Sequence, residues 1–451
     1  MASQRITSPY DVAVVGAGWA GLAAAFYLAQ HGMRVLVLEA SRRVGGRAFS
    51  FVHRGSGQRL DNGVHVLLGL CGQFQALLDT AGLGEAVRYQ PLLEVPVMAR
   101  EGRATFRSAR LNGPFHLLGS LASYSLLRPA ERARALWAGI RIERMNDVAD
   151  WDRATWAEWL RQAGQSERAQ RYLWEAIGTG VFNARANELS AALALKTFRL
   201  LFDGGWRGGR IGLFQWPLQA VSEAFCRYLA ARGVDIRLGE RVTALDVRAN
   251  RIVAVCGSER HAVPQVVLAL PPKRLREVVD RSGIGHQVPV PPFSMSPIVN
   301  VYLFYDRSVW PHDLMLLPDE WGAMVFNRTR LVQPDEDRGD ILAVSISAAS
   351  ALRGKEASFM AQEVIRGVRD RLGLPEPVSI QVVWQPEATF LAVPGTEAQR
   401  PGPTTPVEGL VLAGDWTGTD WPACLEGAVL SGRRAAETCV AGDASRAVAF
   451  G

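Results

Sequence analysis

VAVVGAGWAG, residues 12–21, decides how this chain reads. An apolar run at 12–15 enters glycines at 16, 18 and 21, and residues 22–30 continue with the apolar spacing of a helix. A second apolar run, VLVLE at 35–39, ends on an acid. Strand, glycine turn, helix, strand and acid in that order predict a βαβ unit that clamps a dinucleotide. Gly16 permits the tight turn, Gly18 lets the backbone approach a pyrophosphate, and Gly21 lets the helix pack on the sheet. The helix N-terminus offers free N–H groups and partial positive charge to the phosphates. Glu39 suits both ribose hydroxyls and repels a 2′-phosphate, which favours FAD or NAD over NADP. The candidate contacts here are Gly16, Ala17, Gly18, Trp19, Gly21, Glu39 and Ala40.

ASRRVGGRAFSF, residues 40–51, separates the two nucleotides. Gly45, Gly46 and Arg47 predict a second nest, whose N–H groups and guanidinium hold a second phosphate. A nicotinamide dehydrogenase rarely carries this extension. Near the C-terminus, GLVLAGDWTGTDWPACLEGAVLSG at 409–432 reads as a strand at 410–413, then Gly414, Asp415, a loop, and a helix starting near Leu425. A second helix N-terminus there would stabilise negative charge on a reduced flavin ring, and Asp415 suits ribityl hydroxyls. The expected cofactor is FAD, bound non-covalently.

At 451 residues the chain predicts two joined domains. The fold class is α/β: a Rossmann-like FAD-binding domain with a mixed sheet, assembled from residues 9–70, 212–272 and 405–441. Residues 85–211, mostly helical, and 286–404 form an α+β substrate domain. Within the central stretch a helix at 218–232 leads to a hairpin turning at Asn250, then to a buried strand stopped by Pro271 and Pro272. PIVNVYLFYD at 297–306 and ILAVSISAAS at 341–350 read as strands, and 357–372 as a helix. Strands beside a flavin commonly floor a substrate cavity.

Of 50 basic residues only Lys196, Lys273 and Lys355 are lysines, so the net charge of +6 reflects arginine-rich composition; no basic and aromatic ladder predicts nucleic-acid binding. Five cysteines without a C-x-x-C pair predict a reducing compartment and no metal site. The first residues, MASQRITSPYD, lack a leader pattern, and no apolar run reaches 18 residues. Residues 115–127 are apolar and are followed by Arg128, Arg132, Arg134, Arg141 and Arg144. Two readings stand: a segment in the bilayer interface with cations on lipid phosphates, or an interior helix with a solvated basic continuation. The expected location is cytoplasmic, peripheral on the inner membrane face.

Together these segments resemble the flavin-containing amine oxidase and phytoene desaturase superfamily along the whole chain. Within it, GGRAFSF, DNGVHVLLG and GDWTGTDWPACLEGAVLSG are most similar to the squalene-associated hydroxysqualene dehydroxylases. Carotene desaturases come next, and VFNARANELSAA resembles a segment of both groups. Val64 departs from the polar residue expected in the dehydroxylases. The resemblance implies reductive removal of a hydroxyl from a long isoprenoid, hydroxysqualene to squalene, by hydride from reduced FAD. Its alternatives are a carotenoid desaturase, a flavin amine oxidase, or a non-catalytic prenyl-lipid carrier. It also implies that Val242 meets the adenine through its backbone, an ordinary sheet residue being the other reading.

Because the flavin carries the hydride, catalytic residues are otherwise unassigned. His65, grouped with Asp61 and Gly63, is the one candidate: a proton donor or acceptor, or a hydrogen-bonded structural residue near the flavin. Cys424 stands where true amine oxidases place an aromatic, which favours a hydrocarbon pocket; a covalent flavin thioether is its other reading. With no second glycine fingerprint after a strand, electrons come from a separate reductase or from NADPH.

Overall fold

A computed structural model describes residues 8–145, 147–332 and 339–449 of the chain. Residues 1–7, which begin the segment read for a leader, and 333–338, inside the second insertion, lie outside the described residues. Five parallel strands form the central sheet in the order Asp235–Leu238, Val35–Glu39, Val12–Val15, Val266–Leu268, Leu410–Leu412. Three distant stretches of chain therefore meet in one sheet. Val12 and Val14 pack with helix residues such as Leu22 and Val429, while Ala13 and Val15 face the cluster that holds Leu245 and Val255. Covered on both sides, all of these strands but the edge strand Asp235–Leu238 read as continuous apolar runs rather than alternations.

The first helix spans Trp19–Gln30, three residues longer at its start than the sequence reading, with Gly18 as its N-cap. Gly21 thus lies within the first turn. Helix Trp19–Gln30 packs on the long C-terminal helix Leu425–Ala449. Their contact is tight: a Cβ at Gly432 would stand 2.2 Å from the Ala20 carbonyl oxygen. The expected hairpin forms between Ala244–Arg248 and Arg251–Cys256, and Ala249 and Asn250 both take positive φ at its turn. Pro272 does more than stop a strand, for it opens the helix Pro272–Arg281 as a first-turn proline.

A second sheet of seven strands runs Ser379–Phe390, Met295–Phe304, Ile341–Ile346, Ala323–Asn327, Leu314–Leu317, Glu94–Ala99, Gly102–Arg107. Its last two strands come from the stretch expected to be mostly helical. The first of them alternates buried residues with exposed or partly buried ones, so EVPVMA carries the period-two signal of a half-buried strand. One face of this sheet packs on helix Ala357–Leu372, through Met360, Val364 and Val368. The other face floors a cavity.

The apolar run 115–127 is not one helix. A single turn Gly113–Leu117 and a helix Leu118–Ser123 end at Tyr124, and the helix Pro129–Arg144 begins after a break. Leu126 and Leu127 are buried in that break, while Phe115 remains 49% exposed. No helix among the described residues is long and apolar enough to cross a membrane.

A buried ion pair ties the strand Arg59–Asp61 to the short helix Arg328–Leu331. Arg328 donates to Asp61 Oδ2 at 3.0 Å with both side chains almost wholly enclosed. Asp61 Oδ1 accepts from Ser50 Oγ at 2.6 Å and from the Leu218 N–H at 3.0 Å, and Tyr302 donates to the Asp61 carbonyl at 2.6 Å. The acid grouped with His65 in the sequence is thus a structural anchor facing away from any reaction.

Candidate active site

A cavity of about 1010 Å³ begins at the carboxyl ends of the parallel strands and continues into the helical insertion. This volume sits at the top of the ordinary range for a ligand pocket, roughly 300–1,000 Å³. Ligands of open parallel sheets bind at these strand ends. Of the residues expected to hold the dinucleotide, Gly16, Gly18, Trp19, Glu39, Ala40, Gly45, Gly46, Arg47, Val242, Gly414, Asp415 and Leu425 line the cavity. Ala17 and Gly21 do not, and they build the turn from behind.

The three glycines of the turn differ in what would meet a side chain. A Cβ at Gly16, where φ is +106°, would stand 2.6 Å from the Ala269 carbonyl oxygen. One at Gly21 would stand 1.9 Å from the Gly16 carbonyl oxygen. These two glycines are required by the protein itself. At Gly18 the nearest atom is the Gly46 Cα at 3.8 Å, and φ is an ordinary −75°. The space left bare there serves something other than protein, which is the cradle a pyrophosphate needs.

Glu39 is held in place at the end of its strand. Its Oε2 accepts from the Ala17 N–H and its Oε1 from the Ser41 N–H, both at 2.8 Å. Each oxygen keeps a lone-pair direction for a ribose hydroxyl. Glu39→Ala should weaken FAD binding by about 10- to 100-fold, the loss of one or two hydrogen bonds to a charged group. Flavin fluorescence released on dilution measures it, and unchanged affinity would count against the ribose contact.

Val242 is 8% exposed, and its backbone N–H and carbonyl have no hydrogen-bond partner among the described residues. A free backbone edge in the cavity wall fits the adenine contact. Arg47, which lines the cavity as expected, is also engaged with the protein. Its guanidinium pairs with Asp415 and also donates to the Ala388 carbonyl at 3.0 Å. Arg47 and Asp415, expected as separate ligands for a phosphate and for ribityl hydroxyls, form one charge-neutral bridge across the cavity wall.

His65 lines the same cavity, and its Nδ1–H donates to the Gly63 carbonyl at 3.0 Å. Burial holds its pKa below the ordinary histidine value, so the ring is neutral with Nε2 as an acceptor. At rest it takes a hydrogen bond or a proton, and it must be protonated before it can give one. Burial pushes the Cys424 thiol up to about 12, so it is no thiolate near neutral pH. Its sulfur accepts from the Gly427 N–H at 3.4 Å, and no nucleophile for a flavin thioether results.

His116, also in the cavity wall, is neutral for the same reason and donates its Nδ1–H to the Gly113 carbonyl at 2.6 Å. Both imidazoles have folded pKa values below the unfolded ~6.5. Their share of stability is therefore fully present above about pH 6.5 and is lost as pH falls from there toward the folded values. Thermal melts should be flat from about pH 7 to 8 and fall below ~6.5, and His116→Gln should flatten that decline. An unaltered slope would mean that His116 is not buried neutral.

Among the polar cavity residues that sequence reasoning missed are Asn300, Ser345, Ser347 and Gln385. That reasoning also gave Glu426 no task. That carboxylate accepts from the Gln73 and Phe74 N–H groups at 2.9 and 2.8 Å, closing the N-terminus of helix Gly72–Thr80. Among the described residues no group of acids, histidines and cysteines could hold a metal ion.

The glycine turn, the fixed acid and the apolar extension define a FAD-dependent oxidoreductase. Residues 19–440 match the flavin containing amine oxidoreductase family, and the chain belongs to it. A hydroxysqualene dehydroxylase of Rhodopseudomonas palustris is 29% identical, over 95% of this chain and 98% of that one. A chloroplastic/chromoplastic 15-cis-phytoene desaturase of Solanum lycopersicum is 23% identical, over 97% of this chain and 79% of its own length. Among solved structures, a triple mutant of putrescine oxidase superposes with a TM-score of 0.73 at 19% identity, covering 96% of this chain and 99% of that one.

Proposed function

We propose that this protein removes the hydroxyl of a long isoprenoid alcohol, converting hydroxysqualene to squalene. The observation that carries the reading is the apolar extension of the cavity beyond the cofactor end, walled by Leu121, Leu136, Ile177, Phe198 and Phe202. The similarity to hydroxysqualene dehydroxylases over nearly the full chain supports the same substrate class. Reduced FAD supplies the hydride. The hydroxyl leaves with one proton as water, and the hydride replaces it on carbon. The chain's own part is to hold the hydrocarbon, keep bulk water from an electron-poor allylic carbon, and position the departing oxygen. A neutral His65 accepts a hydrogen bond from that hydroxyl and, once protonated, returns a proton to it.

Protein reduced anaerobically and given hydroxysqualene should yield squalene and oxidised flavin, followed by flavin absorbance and by product chromatography. Unchanged substrate refutes the reading. A carotenoid desaturase is the second reading, favoured by relatives named phytoene desaturases and by the same apolar wall. Hydride then runs from substrate to flavin, and phytoene in liposomes with a quinone acceptor should give coloured polyenes.

We further propose that the substrate arrives from a membrane surface. Leu111 and Phe115 are 49% exposed and Trp137 is 66% exposed, beside the exposed Arg110, Arg141 and Arg144. The segment bearing Phe115 also gives Leu117, Leu118 and Leu121 to the cavity wall. Apolar side chains ringed by arginines suit an anionic lipid surface. Co-sedimentation with anionic vesicles tests this, and recovery of all the protein in the supernatant refutes it.

A further inference from the structure

The floor of the cavity carries polar side chains where a pocket for a pure hydrocarbon calls for none. Asn300 lies opposite Ser345 in the antiparallel pairing of Met295–Phe304 with Ile341–Ile346. Ser347 follows two residues after Ser345 and so points to the same side. On the other flank Ile298 is paired with Gln385. All four polar residues line the cavity, together with Ile298 and Met324 of the same face. Side chains directly opposite in such a ladder stand within about 4.5–5.5 Å at Cβ, which sets Asn300 beside Ser345, while Gln385 lies opposite Ile298 on the next strand, and all four face the cavity as one polar band of its floor.

These groups are unspent. Asn300 is 1% exposed; its amide N–H donates to the Asn62 carbonyl at 3.1 Å, while its Oδ1 has no partner. The Asn62 carbonyl accepts only, which fixes the amide orientation and leaves the oxygen as the free end. The hydroxyls of Ser345 and Ser347 and the amide of Gln385 make no hydrogen bond among the described residues. The band lies close to the backbone that carries His65, for a Cβ at Gly63 would stand 2.8 Å from Asn300 Nδ2. A buried acceptor without a donor is costly, and nature seldom keeps one without use.

We infer that Asn300, Ser345, Ser347 and Gln385 form a hydroxyl-recognising band that selects an oxygenated isoprenoid over the corresponding hydrocarbon. The inference rests on the alcohol reading above and adds the residues that set its specificity. Asn300 Oδ1 accepts from the substrate O–H, and two donors drawn from the serine hydroxyls and the Gln385 amide fill the two lone pairs of its oxygen. A hydrocarbon entering the same space leaves every one of these groups unpaired, which is how a site built for a hydroxyl rejects the analogue lacking it.

Oxidised holoprotein, which has no hydride to give, separates recognition from chemistry. Titrated with hydroxysqualene and with squalene in detergent micelles, and followed by the shift of the flavin absorbance band, it should bind the alcohol at least about tenfold more tightly. Asn300→Leu should bring that ratio near one with flavin content unchanged. Ser345→Ala combined with Ser347→Ala should lower it several-fold, and this gentler variant carries the test if the first fails to fold. Equal affinity of the unaltered protein for both ligands overturns the inference, as does a preference that survives in the folded variants. Loss of flavin from folded Asn300→Leu overturns it too, assigning the amide to the cofactor. A retained preference with no squalene from the reduced protein sinks the dehydroxylation reading and leaves the band standing.

Discussion

Gly18→Val protein should fold, purify in normal yield and be colourless. Gly18 has the backbone of an ordinary extended residue, and its nearest neighbour for an added Cβ is 3.8 Å away, so valine fits the protein. The branched side chain then stands on the cavity side of the helix N-terminus, over its free N–H groups. Losing two or three hydrogen bonds to charged phosphate oxygens lowers FAD affinity by about a thousandfold or more. Gly21→Val is the contrasting case, because its Cβ would stand 1.9 Å from the Gly16 carbonyl oxygen and the turn has no room to yield. That variant should give no folded protein. Absorbance at the flavin bands and circular dichroism read both outcomes, and yellow Gly18→Val protein would remove the clamp from the account.

Arg328→Met should destabilise the protein by about 3–5 kcal/mol, the cost of leaving one member of a buried ion pair uncompensated. Asp61 would remain enclosed at 1% exposure with only Ser50 and the Leu218 N–H as side-chain partners. Adding Asp61→Asn should recover most of the loss. Asparagine keeps the Oδ1 acceptor while removing the buried charge, so the double-mutant cycle isolates the charge from the packing. Urea denaturation with flavin and tryptophan signals measures it. A cost below about 1 kcal/mol for the single change would mean that water reaches the pair.

What the sequence discloses here follows from how each element is buried. Four of the parallel strands and most of Met295–Phe304 are enclosed on both sides, and their largely apolar runs are legible without any partner. The hairpin Leu314–Leu317 with Ala323–Asn327 is not. Its first strand has four residues, and its turn takes Trp321 and Gly322 at positive φ without an Asn-Gly signal. Strand Ser379–Phe390 contains Pro386, which argues against a strand, and the ladder absorbs it with a register shift between Ser296 and Ile298. Glycine spacing and Glu39 mark the cofactor end, because phosphates and riboses impose the same demands on any chain.

The remainder of the site depends on meetings across the fold. Arg47 is bound to a partner 368 positions away, and Arg328 finds Asp61 from a distant segment of the chain. Asn300 leaves a fainter mark, a single amide within the apolar run PIVNVYLF, visible as an exception only once its neighbours are known to be buried.

The sheet's last strand, Leu410–Leu412, and the helix locked against Ala20 through Gly432 come from the end of the polypeptide. A ribosome releases the βαβ unit hundreds of residues before it releases the segment that closes the cavity around Gly414 and Asp415. The nascent chain can therefore grip the nucleotide by one edge at most. Acquisition of flavin waits on the segment around Gly414 and Asp415, and a chain cut before Leu425 should translate normally but not become a holoenzyme.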